Sequence, residues 1–141
     1  MKKKFVFTAS IIAIFLFNEA GLAQKDLYTA PFGVQTYTFR RSIGIDPAKT
    51  LDTIKMMGFT EIEGGGNRMT PEAFKKLCDE RGISIPGTGG GYEELVKSPD
   101  SIIYRAKVFG SKYVMCAWIP HDKSGFTIEN AKKAVEDFNN I

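Results

Sequence analysis

A chain of 141 residues with 19 basic and 16 acidic side chains carries a formal net charge of +3 at neutral pH, with two cysteines and one histidine. Three of the lysines and Glu19 fall within the first 23 residues, so the remainder holds 16 basic against 15 acidic groups, a net charge of +1. That balance excludes the basic footprint of a nucleic-acid binder, and a lone histidine with two scattered cysteines excludes the clustered spacing of a zinc site.

Residues 1–23 read as a signal peptide. Lys2, Lys3 and Lys4 form a positive start, residues 5–17 are almost wholly apolar, and Gly21, Leu22 and Ala23 precede Gln24. The apolar run falls short of the roughly 20 residues that span a bilayer. Cleavage after Ala23 and export to the periplasm or the exterior are therefore expected, with no membrane association afterwards. No cysteine follows the apolar run to carry a lipid anchor.

Beyond the leader, residues 32–39 predict a first strand, with Gln35, Tyr37 and Phe39 on one face and Val34, Thr36 and Thr38 on the other. Asp46 and Pro47 supply an N-cap and a first-turn proline. Ala48, Leu51, Ile54 and Met57 follow at helical spacing, and Gly58 stops the helix. Residues 59–63 form a second strand leading into Gly64, Gly65, Gly66 and Asn67. Thr70 and Pro71 open the next helix, with Ala73, Phe74, Leu77 and Cys78 as its apolar stripe and Gly82 as its stop.

Ile83, Ser84 and Ile85 make a short third strand that enters a glycine-rich loop at 86–91, and residues 92–96 suit one helical turn. Ser98 and Pro99 begin a further helix with Ile102, Ile103, Ala106 and Phe109 inward and Gly110 closing it. The stretch GSKYVMCAWIPH at 110–121 is a continuous apolar run, which suits a strand buried on both faces. It breaks at Pro120 into a loop bearing His121, three residues after Trp118, and these are the sole histidine and tryptophan. Thr127 caps a last helix carrying Ile128, Ala131, Ala134, Val135 and Phe138. Cys78 falls on a helix and Cys116 in the fourth strand. Strands two places apart are roughly 10 Å apart, beyond the approximately 7 Å reach of a disulfide, so two buried free thiols are expected.

Gly58, Gly82 and Gly110 are separated by 24 and 28 residues, room for one strand, loop and helix each. Such alternation implies an α/β protein with a parallel sheet and right-handed crossovers. An open doubly wound sheet and a (β/α)8 TIM barrel both fit. Gln35 and Tyr37 are too polar for the centre of a sheet covered on both faces but suit the upper interior of a barrel. The barrel is the expected fold, with only its first four βα units present in residues 24–141. The last helix reaches Ile141 without a terminating signal, which predicts a truncated chain, and a half barrel with two open strand edges is expected to self-associate.

Four segments, GVQTYTFR at 33–40, MGFTEIE at 57–63, GYEEL at 91–95 and AKVFGSKYV at 106–114, resemble the sugar phosphate isomerase/epimerase family. Its members are xylose-isomerase-like TIM barrels, and the exported bacterial type is the most similar. The resemblance implies an exported sugar isomerase or epimerase that moves a proton beside a carbonyl with a divalent metal stabilising the developing enediolate. Family metal ligands come from the second half of the barrel, so none is expected in this chain. The resemblance departs at Thr88, Gly89 and Gly90, where members often carry a histidine. It implies a pocket wall of Gln35, Tyr37, Phe39, Thr88 and Trp118, with Glu63 and His121 as candidate catalytic groups.

A sugar or sugar-derived molecule is the expected ligand, and a free sugar, glycoside or keto-sugar suits an exported protein better than a phosphorylated one. A lyase or hydratase acting on a 3-keto-glycoside needs the same activated C–H and stays open, as does a non-catalytic carbohydrate-binding remnant or an inert fragment. No nucleotide cofactor is expected. The run GTGGGY at 87–92 places Tyr92 where a dinucleotide loop needs glycine or alanine. Neither G-x-S-x-G nor HExxH occurs.

Overall fold

A computed structural model describes residues 29–66 and 68–141; the leader, its cleavage point and Asn67 lie outside the described residues. The sheet and helices belong to one compact unit, Pro31–Ile141. Strands β1 (Gly33–Gln35), β2 (Glu61–Glu63), β3 (Ser84–Gly89) and β4 (Tyr113–Met115) form one parallel sheet in the order β1-β2-β3-β4. Helix α1 (Pro47–Met56) links β1 to β2, and α2 (Pro71–Asp79) links β2 to β3. Helices α3 (Tyr92–Lys97) and α4 (Asp100–Phe109) link β3 to β4, and α5 (Ile128–Asn139) follows β4.

The helix starts follow from their caps. The Asp46 carboxylate accepts from Lys49 N at 2.9 Å and Thr70 Oγ1 from Ala73 N at 3.3 Å. Thr127 and Asn130 cap each other reciprocally, at 3.3 and 2.8 Å. Each such cap contributes about 1 kcal/mol. Gly110, at φ +70°, takes the left-handed conformation that closes α4.

The strand order never reverses, so crossovers of one hand place their helices on one face of the sheet. The core follows that rule: Ile62 and Ile85 from the strands meet Leu51, Ile54, Phe74, Cys78 and Phe109 from the helices. The Phe74 and Phe109 rings pack tilted, 5.9 Å between centroids, and removing the Phe74 ring would cost about 3–5 kcal/mol. The register assigns Gly33, Gln35, Glu61, Glu63, Gly87, Gly89, Tyr113 and Met115 to the opposite face. An irregularity between the Glu61 and Glu63 pairings absorbs Pro86 and restores the alternation.

Several expectations need correction. The first strand stops at Gln35, and residues Thr36–Phe39 wind into a 3₁₀ turn. Ile43 N donates to Phe39 O at 2.8 Å, which folds the chain back and seals Ile43 into the core. The third strand runs on through the glycines to Gly89, so Thr88 belongs to a strand and not to a loop. The apolar run of β4 is not covered on both faces: Tyr113 is 70% exposed and Val114 and Met115 are also exposed. Among the described residues β4 pairs only with β3, leaving one edge and one face open. Cys116 falls just past β4 and is half-buried, whereas Cys78 is buried in the core; both thiols are free. Met57, Ile103, Ile128 and Val135 are exposed, and Ala134 alone is fully buried on α5. That helix docks by Phe138 against Tyr92, 5.3 Å between rings, and by the Tyr92 hydroxyl on Asp137.

Candidate functional site

The C-terminal ends of β1, β2 and β3 surround a cleft of about 370 Å³. The end of β1 and the turn after it supply Gln35, Thr36 and Tyr37. The end of β2 supplies Glu63 and the loop Gly64, Gly65 and Gly66, and β3 supplies Thr88 and Gly89. Four of the expected site residues, Gln35, Tyr37, Glu63 and Thr88, thus line one space.

Gln35 and Glu63 are direct register partners, so their side chains are neighbours on the uncovered face of the sheet. Glycine makes room for the carboxylate. A β-carbon at Gly87 would sit 3.3 Å from Glu63 Cγ, and one at Gly89 would sit 3.6 Å from its Oε1. Larger residues there would crowd Glu63 against its own strand. Tyr37 is exposed at the rim, with the Arg40 guanidinium 4.7 Å from its ring centroid and Arg40 Nη1 donating to its carbonyl at 3.2 Å.

Thr88 lies on the helix-facing side and is only 1% exposed. Its hydroxyl accepts from Arg105 Nε at 3.2 Å, while Arg105 Nη2 donates to Gly89 O. Thr88 therefore positions a cation as well as walling the cleft. Sequence reasoning missed Arg105, although a signal exists. It stands three residues after Ile102 and four before Phe109, both buried, which puts a charge within the inward stripe of α4.

Three expected residues do not join this cleft. Phe39 packs against the core and lines a separate groove with Arg41 and Asp46. Trp118 and His121 cluster with Phe126, at ring distances of 4.3 and 5.6 Å from His121 to Trp118 and Phe126 respectively. His121 Nδ1 lies 2.7 Å from Ile119 O, and Trp118 is 65% exposed. Next to that cluster, hydrogen bonds from Ser124 Oγ and N hold the Asp122 carboxyl below its ordinary value. Of the two candidate catalytic groups, Glu63 lines this cleft and His121 does not.

Among the described residues, no three His, Cys, Asp or Glu side chains come together as a metal site, so these residues do not fit the divalent ion that the resemblance implies. No described helix is long and apolar enough to cross a membrane. No family model matches the chain, and no curated protein matches it.

Proposed function

We propose that the four βα units are the first half of a xylose-isomerase-like TIM barrel, and that the protein is an exported sugar isomerase or epimerase. One observation carries the reading: the sheet is covered by a core on one face and bears mainly glycine, glutamine and glutamate on the other, with both edges unpaired among the described residues. A doubly wound sheet would bury both faces under helices. A barrel needs small and polar residues on the inner face near the strand ends, where its active site forms, and Gln35, Glu63, Gly87 and Gly89 meet that need.

In this reading Gln35 and Tyr37 hold sugar hydroxyls and Glu63 is the cleft's candidate base, accepting a proton from the carbon beside a carbonyl. The divalent ion expected of such a family would be held by residues outside these four units. A binding role without catalysis is the second reading, favoured by the separation of His121 from Glu63.

Titration of the chain with simple sugars, followed by nitrogen–proton correlation spectra, tests the site. Shifts should gather at Gln35, Tyr37 and Glu63, and Glu63→Gln should weaken binding about tenfold with an unchanged melting temperature. Shifts confined to Trp118 and His121 would refute the placement.

A further inference from the structure

Arg105 is a half-buried guanidinium facing the cleft and held by two neutral acceptors, the Thr88 hydroxyl and the Gly89 carbonyl. Among the described residues no carboxylate pairs with it. Arg68 lies on the same cleft and is likewise without an ion pair among the described residues, so two cations face the single carboxylate of Glu63. Partial burial of an uncompensated charge is costly unless a ligand supplies the counter-charge.

The geometry of the guanidinium narrows that ligand. Nε and Nη2 form its side-on edge, and Thr88 and Gly89 occupy that edge. The end-on edge, one N–H from each of Nη1 and Nη2, remains for an acceptor with two coplanar oxygens. We infer that the cleft takes a sugar bearing a carboxylate, such as a uronate or aldonate, gripped by the end-on edge of Arg105. This inference rests on the sugar-site reading and adds the acidic group to it. A phosphoryl group would fill the same edge with two of its oxygens but leave its remaining charge to Arg68, an exposed side chain.

The full 141-residue chain is titrated calorimetrically with glucuronate, glucose, glucose 6-phosphate and acetate. Glucuronate should bind about tenfold more tightly than glucose, and Arg105→Gln should abolish that advantage. Arg105→Lys should restore part of it, because an ammonium keeps the charge and loses the fork. Circular dichroism melts confirm that each variant is folded, and if Arg105→Gln is not, Arg105→Lys decides alone by its partial loss. Glucose binding as tightly as glucuronate would overturn the inference and leave the sugar site standing. Tighter binding of glucose 6-phosphate would overturn the carboxylate assignment. Acetate binding as tightly as glucuronate would overturn the sugar reading beneath it.

Discussion

Gly64→Ala probes the join between fold and site. Gly64 sits at φ +116°, a region L residues rarely adopt, and an added β-carbon would lie 2.2 Å from Thr36 Oγ1. An ordinary contact is at least 3.4 Å, so the shortfall exceeds 1 Å. Thr36 is itself buried and has little room to retreat. Backbone strain of roughly 1–3 kcal/mol and overpacking of about 1–3 kcal/mol give a loss on the order of 2–6 kcal/mol, a large share of the roughly 5–15 kcal/mol that holds a domain together. Urea denaturation followed by circular dichroism measures it. Thr36→Ala in the same background removes the obstructing hydroxyl but not the φ strain, so it should recover part of the loss, with a coupling of about 1–2 kcal/mol. A loss below about 1 kcal/mol, or no recovery with Thr36→Ala, would refute the close approach of the β2 loop to the β1 turn.

The two thiols should differ in reactivity. Burial pushes the Cys78 thiol up to about 12, so a disulfide reagent should modify half-buried Cys116 first and reach Cys78 only on unfolding. Because the folded value lies above the unfolded one, Cys78's contribution is fully present below pH 9.0, its ordinary value, and is lost as pH rises toward 12. Cys78→Val should flatten that part of the stability profile, and an unchanged profile would count against the burial. The edges of β1 and β4, unpaired among the described residues, predict self-association of residues 24–141, read by size exclusion with light scattering; a monodisperse, cooperatively melting monomer would oppose the half-barrel reading.

What the sequence determined by itself was local. Asp46–Pro47, Thr70–Pro71 and Thr127 supply the first-turn chemistry of helices within a few residues of chain, and α1, α2 and α5 start where those residues say. The βα alternation was legible for the same reason, since each glycine stop and apolar stripe acts within its own unit, and it implied the parallel sheet. Gln35 and Tyr37 stood out as polar residues in a strand, the family resemblance implied a site role for them and for Glu63, and the structure brings the three to one cleft.

The tertiary structure alone decided which runs are covered. Tyr113, Val114 and Met115 read as a strand buried on both faces, yet hydropathy does not record that β4 lies at an edge. It also decided that the chain turns after Gln35, which sends Phe39 to the core side and leaves Tyr37 at the rim. Arg105 reaches the cleft only because α4 lies beside β3 and Thr88 offers its hydroxyl 17 residues away in sequence. Contacts of that separation come from a helix folding back onto its own strand, and no periodicity within either element can encode them.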